Sequence, residues 1–411
     1  MSINLNQHKP LESISSRVLK ARTYGSILTA ASLGLLLCLS SCGSTQEGSN
    51  SSDSSAVANQ KAFWKDGVIK QEFLYDTASF PSCHSATIAE TPAGLVAAFF
   101  GGTKERNPDV EIYLCRLVDG KWTAPVSVAN GIQNDTLRYP TWNPVLYQVP
   151  GGELQLYYKV GPKPSEWKGW KIVSKDNGLT WSQPEAMPEG FLGPIKNQPV
   201  LLPDGKTLLS PSSTEDHGWH VHIEKSTDFG KTWSMVGKID NGKFQGAIQP
   251  TILVHPGGKL QILCRSKDRA ILQSWSEDNG ETWTPLSRTN LPNNNSGIDA
   301  VTLQDGSFAL VYNHVLPPEG KYKGARTPLN LAISKDGVNW SAAAILEDSP
   351  ISQYSYPYII ATSDGKLHAI YTWRREKIAH AVIDPSALKP LPIKDSIWPA
   401  VPGYVAPVPE S

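Results

Sequence analysis

One motif recurs along the chain at a nearly constant interval, and that interval restricts the fold more than any other feature. Ser174-Lys-Asp-Asn-Gly-Leu-Thr-Trp181, Ser226-Thr-Asp-Phe-Gly-Lys-Thr-Trp233, Ser276-Glu-Asp-Asn-Gly-Glu-Thr-Trp283 and the shorter Ser334-Lys-Asp-Gly-Val-Asn-Trp340 read alike. Asp119-Gly-Lys-Trp122 is a degenerate fifth copy. Trp122, Trp181, Trp233, Trp283 and Trp340 stand 59, 52, 50 and 57 residues apart. A period near fifty, with strand-rich content, means a propeller or a solenoid. Within each box the Asp is placed to accept from turn amides, the Gly to supply positive φ, and the Trp to pack between neighbouring sheets. A second pattern runs in phase with the first: an apolar strand, a turn ending in Gly, then another strand, as in residues 143–159, 249–265 and 356–372. Five such units are visible. A sixth is expected where an N-terminal strand closes onto the C-terminal strands. The expectation is an all-β, six-bladed β-propeller, with seven blades as the alternative. The 33 Gly, 32 Pro and 13 Trp, against only 3 Met, agree with short strands and many turns.

The 38 basic and 38 acidic residues cancel. Without residues 1–41, which hold Lys9, Arg17, Lys20, Arg22 and Glu12, the balance is 34 − 37 = −3. No basic excess is available to neutralise phosphates, so nucleic acid is not the expected partner. No motif calls for a cofactor or a metal.

The N-terminus reads as an address. Arg17, Lys20 and Arg22 precede an apolar run from Ile27 to Leu39, too short to be read as a membrane span. Leu39-Ser-Ser-Cys42 then resembles a bacterial lipobox, which implies lipidation of Cys42 and an anchor in the cell envelope. Ser44 after it favours the outer membrane. Residues 42–62 are Ser- and Gly-rich and read as a tether. The expected organisation is a signal peptide over 1–41, the tether over 42–62 and the propeller over 63–411. Cys83, Cys115 and Cys264 lie in apolar strand-like runs and are expected as buried thiols, with a Cys83–Cys115 bridge left open.

The boxes resemble the Asp-boxes of bacterial sialidases, and the chain resembles the sialidase superfamily of BNR-repeat proteins over about residues 75–385. That resemblance implies three arginines on a substrate carboxylate, an Asp acid/base and a Tyr nucleophile paired with a Glu. Tyr356 lies nine residues before Gly365, at the position of the nucleophile. Gln249, nine before Gly258, stands where the Glu is expected, and it cannot take a proton. Arg265 and Arg326 match two of the arginines. His84, ten before Gly94, occupies the place of the first. It offers one charged hydrogen bond if protonated, or a general acid or base, but no bidentate fork. Asp109 is the resemblance's best match to the acid, in the loop that also carries Glu105 and Arg106. Asn143 shares the phase of Gln249, and Glu215 sits in the polar cluster Thr214-Glu-Asp-His217; these two and Arg106 are expected to contact substrate. Lys196-Asn197 and Asn293-to-Asp299 are further polar segments at inward phase, and Trp142, Trp167, Trp170 and Trp219 offer faces for sugars.

The resemblance implies an exo-acting glycoside hydrolase that releases a carboxylated terminal sugar, sialic acid or similar. Two other readings stay open: a lyase on uronate-containing glycans, with His84 and Tyr356 as base and acid, and a glycan-binding lipoprotein without turnover. A direct check of the address is Cys42→Ser. This variant should lose membrane partitioning; a variant that is cleaved normally and still fractionates with membranes refutes lipidation.

Overall fold

The structure, a computed structural model, describes residues 63–216, 218–239 and 243–401. The signal and tether segments with Cys42, and His217, lie outside the described residues. Six antiparallel sheets form the blades of a β-propeller. Blade one is built from Ser82–Thr91, Gly94–Gly102 and Glu111–Val118, with Lys121–Trp122 and Val126–Ala129 outside. Blade two is Thr141–Gln148, Leu154–Val160, Lys168–Ser174 and Glu185–Ala186; blade three is Val200–Leu201, Leu208–Thr214, His220–Ser226 and Ser234–Lys238. Blade four is Ala247–Val254, Leu260–Ser266, Ala270–Ser276 and Ser287–Pro292. Blade five is Asp299–Thr302, Phe308–Tyr312, Leu329–Ser334 and Trp340–Glu347, extended by Leu391–Pro392. Blade six is Tyr354–Ala361, Leu367–Trp373 and Lys377–Ile383, and its outer strand is Val68–Phe73 from the other end of the described chain. That pairing, with Glu72 opposite His380 and Phe73 opposite Ala379, closes the ring as expected for six blades.

Each blade is covered on both faces by its neighbours. The second strands therefore lose the alternation of a half-exposed sheet: all seven residues of Leu154–Val160 and of Leu260–Ser266 are buried. Polar residues in such strands must find partners. Gln155 donates to the carbonyl of Phe229, 2.8 Å away, and Gln261 to that of Gly337, 2.9 Å away. Both acceptors belong to the box of the following blade, so the boxes also join blades.

The boxes cap the turn between third and fourth strands. In the box of blade three, Ser226 Oγ accepts from the amide of Gly230 (2.8 Å), and Asp228 accepts from the amides of Lys231 and Thr232 and from the Thr232 hydroxyl (2.6 Å). The boxes of blades two and four repeat this pattern, and the shorter box of blade five keeps the Ser-to-Asp bond and the amides on Asp336. Phe229 and Asn279 take positive φ beside Gly230 and Gly280. Trp340 is buried, and its indole N–H donates to Gly337 O. Cys83, Cys115 and Cys264 are free and buried, so the bridge left open above does not form. Cys83 Sγ instead accepts from the Tyr75 hydroxyl at 3.1 Å, and burial pushes its thiol up to about 12.

The box aspartates titrate together. Hydrogen bonds from Thr180 and Thr282 hold Asp176 and Asp278 at about 2. In Asp228 and Asp336 slight burial opposes the bonds from Thr232 and Asn339, yet both also sit at about 2. A carboxylate lowered on folding adds stability above its unfolded value, near 4, and loses it as pH falls through its folded value. The melting temperature should therefore drop steeply between pH about 4 and about 2. Asp228→Asn should flatten that slope; an unchanged pH profile would show that the boxes do not carry it.

Candidate active site

The inner strands share a local distortion that builds the site. Four of them slip register midway, between His84 and Thr87, Trp142 and Val145, Ile248 and Thr251, and Ser355 and Tyr358. At each slip one residue takes positive φ: Ser85 (56°), Asn143 (35°), Gln249 (56°) and Tyr356 (54°). A bulge re-aims the side chain at its corner. In three of the four the next residue is Pro144, Pro250 or Pro357, which has no N–H to leave unpaired.

Tyr356 is the centre of the cluster. Its hydroxyl oxygen accepts from Arg265 Nη1 at 2.8 Å and from Gln249 Nε2 at 3.0 Å. Arg265 Nη1 also donates to Gln249 Oε1 (3.2 Å), and its Nε to Asn295 Oδ1 (2.9 Å), which fixes the plane of the guanidinium. Arg326 lies over the same ring, 5.9 Å from its centroid, and donates to Gln353 Oε1 at 2.9 Å. Burial and then the charge of Arg265 push Arg326 down to about 10, so it stays a cation near neutral pH. Lys196 Nζ sits 5.7 Å from the ring centroid on the blade-three side.

His84 packs against Tyr356, ring centroids 4.1 Å apart, and its Nδ1 is 2.8 Å from Thr372 Oγ1. Burial, then the charges of Arg375, Arg326, Arg265 and Lys196, hold it well below the ordinary imidazole value. Of the two roles open to His84, this environment disfavours the charged hydrogen bond to a carboxylate.

Those charges expose a residue that the repeat phase did not mark. Arg375, in the hairpin after Leu367–Trp373, acts on both His84 and Arg326, and its carbonyl accepts from the amide of Cys83 beside His84. Its Nη1 lies 2.6 Å from Glu105 Oε2. A third arginine thus adds its charge to the site from another loop. The available signal was its place after a second strand, where the loops carrying Arg106 and Glu215 also lie.

The remaining expected residues are placed as follows. Asn143 is buried, and its Nδ2 donates to Ile195 O at 3.2 Å. Asp109 is exposed; its carboxylate accepts from the amide (2.8 Å) and hydroxyl (2.6 Å) of Thr103. Slight burial opposes these bonds, but they hold Asp109 below the usual carboxylate range, the reverse of what a proton donor needs. The geometry does not bring Asp109 into the cluster. Arg106 is exposed, has positive φ (81°) and lies within electrostatic reach of Glu215. Glu215 Oε2 accepts from Trp219 Nε1 at 3.0 Å, and burial pushes the carboxyl up against the opposing charge of Arg265. Trp142 and Trp167 pack edge to face, 5.8 Å apart.

Beneath the phenol lies a fully buried charged hub. Lys196 Nζ donates to Pro357 O (2.6 Å), Asn197 Oδ1 (2.7 Å) and Ile298 O (3.1 Å). Asp299 accepts from Thr251 Oγ1 and from the amides of Ala300 and Ile359, all at 2.9 Å. Burial pushes Lys196 down and Asp299 up, and each partly restores the other's charge. Gly297 is needed here for space: a Cβ would lie 2.8 Å from Lys196 Cε and 3.3 Å from Tyr356 Cδ2. Asp299→Asn leaves the ammonium without its counter-charge and should cost about 3 kcal/mol or more. Denaturant unfolding measures this; a loss below about 1 kcal/mol would mean that the carbonyls around Lys196 suffice.

Residues 93–369 match the family model described as a BNR repeat-like domain. No curated protein matches the sequence. Among solved structures, a protein of unknown function from Dyadobacter fermentans DSM 18053 is 15% identical with a TM-score of 0.63, over 77% of this chain and 98% of that one. The Hadza microbial sialidase Hz136 is 17% identical (TM-score 0.61), over 75% of this chain and 66% of that one. The intramolecular trans-sialidase from Ruminococcus gnavus is 14% identical (TM-score 0.60), over 79% and 99%. At these identities the likeness is one of fold. With the boxes, the six blades and a family match spanning more than half of the sequence, the chain belongs to the BNR repeat-like family of sialidase-like propellers.

Proposed function

We propose that the chain is an envelope-anchored hydrolase of the exo-sialidase type that removes a carboxylated terminal sugar from glycans. The observation that carries this reading is the charge at the centre. Arg265, Arg326 and Lys196 lie around one phenol, Arg375 adds its charge at the adjoining His84, and the phenol's oxygen is paired with an amide and a guanidinium, not with a carboxylate. Such a site favours an anion and disfavours a neutral sugar. Arg265 and Arg326 take the substrate carboxylate, with Arg375 as the third cation in place of His84.

Tyr356 is the nucleophile in this reading. A phenol suits a carboxylated substrate, because a carboxylate nucleophile would be repelled. Gln249 accepts no proton, so the phenol's proton leaves to solvent before attack. Arg265 and Gln249 both donate into the oxygen, the arrangement that stabilises a phenolate. The oxygen bonds to the anomeric carbon as the glycosidic C–O bond breaks, and its electron pair departs on the leaving oxygen.

One observation favours a second reading. A neutral His84 packed against Tyr356 is a base beside an acid, the pair that a uronate lyase needs. The products separate the two: a lyase leaves an unsaturated, ultraviolet-absorbing sugar.

Incubation of the purified chain with sialosides, read by mass spectrometry, should yield free carboxylated sugar without an unsaturated product. Tyr356→Phe should cut turnover by orders of magnitude at unchanged melting temperature. Arg265→Lys loses a fork and should weaken transition-state binding by about 1.5–3 kcal/mol. Gln249→Glu should retain or raise turnover. A fully active Tyr356→Phe enzyme removes the phenol from the chemistry.

A further inference from the structure

A cavity of about 560 Å³ opens between blades two and three, lined by Trp167, Met187, Phe191, Leu192, Thr214 and Glu215 among others. Its walls are mainly apolar and aromatic, unlike the cationic centre. Glu215 is common to both. On one side it lines the cavity; on the other its Oε2 is held by Trp219 Nε1, and the Trp219 ring lies 5.2 Å from the Arg265 guanidinium. Arg265 in turn donates to the Tyr356 oxygen. One indole and one guanidinium therefore separate this carboxyl from the phenol.

We infer that Glu215 passes the proton between the leaving oxygen and water, and that the cavity receives a neutral leaving sugar. The inference rests on the hydrolase reading above. Two surfaces of opposite character meet at Glu215, as they must where an anionic sugar is joined to a neutral one. Aromatic walls at Trp167 and Phe191 suit the apolar face of a pyranose. Burial leaves Glu215 richer in its protonated form than an exposed glutamate, and Arg265, Lys267 and Arg106 limit that effect. Asp109, held by Thr103, lacks this property.

The step balances as follows. Glu215 gives its proton to the glycosidic oxygen while the anomeric C–O bond breaks onto that oxygen, and the leaving sugar departs as a neutral alcohol. Tyr356 oxygen takes the anomeric carbon. In the second half the Glu215 carboxylate removes a proton from water, the water oxygen bonds to the anomeric carbon, and the electron pair of the C–O(Tyr356) bond returns to the phenolate.

The test is the leaving-group dependence of Glu215→Gln, which keeps an oxygen for Trp219. Turnover is measured on a sialyl-lactose and on an aryl sialoside whose phenol leaves without protonation. The variant should lose ~10²–10⁴-fold in kcat/KM on the lactoside and far less on the aryl substrate. A second variant, Phe191→Ala, should raise KM for the lactoside and leave the aryl substrate unaffected. An equal loss on both substrates, no loss on either, or the same signature in Asp109→Asn overturns the role of Glu215 while the hydrolase reading stands. If the wild type cleaves neither substrate, both readings fall.

Discussion

A buried lysine ammonium is the constraint on which the centre of this molecule depends. Lys196 is held by carbonyls from blades five and six and by Asn197, and its charge is offset by Asp299. Asp299 in turn accepts from blade four through Thr251 and from blade six through Ile359. Three blades and the segment that leads into blade three thus share one compensated charge. Water supplies the same stabilisation at no structural cost, so a buried charge persists only where its partners are held in place. Here those partners also hold Pro357, and with it the bulge that presents Tyr356.

The site above this hub is cationic because its guanidinia are fixed mostly by neutral acceptors. Arg265 is fixed by Gln249 and Asn295 and Arg326 by Gln353, while Arg375 has Glu105. Amide partners orient a guanidinium without cancelling it. Burial, and then the positive field that remains, holds His84 well below the ordinary imidazole value, and the same field favours negative charge at the phenol and on a ligand.

Much of the architecture was legible in the chain because its determinants are local. A box closes its turn with bonds between residues two to four positions apart, so the motif carries its own geometry wherever it occurs. Its period counts the blades. The inward phase of Asn143, Gln249 and Tyr356 was also legible, since the bulges recur at a constant distance from the turn glycine. Arg265 followed from the same ruler, seven residues after Gly258, and Arg326 from its place before the fourth box. Arg375 did not, because a hairpin arginine has no phase; only packing of blade six against blade one brings it to His84.

The sequence by itself determined that the chain makes six blades, closes them end to end and places a phenol and two amides, Tyr356, Gln249 and Asn143, at one phase of the repeat. Only the tertiary structure decided what those groups are chemically. Whether His84 carries a proton, whether Asp109 is tied to Thr103, and whether Glu215 faces an apolar cavity depend on burial and on charges from several blades at once. Turn geometry is set by neighbours in sequence, whereas the potential at a buried atom sums over every charge near it in space.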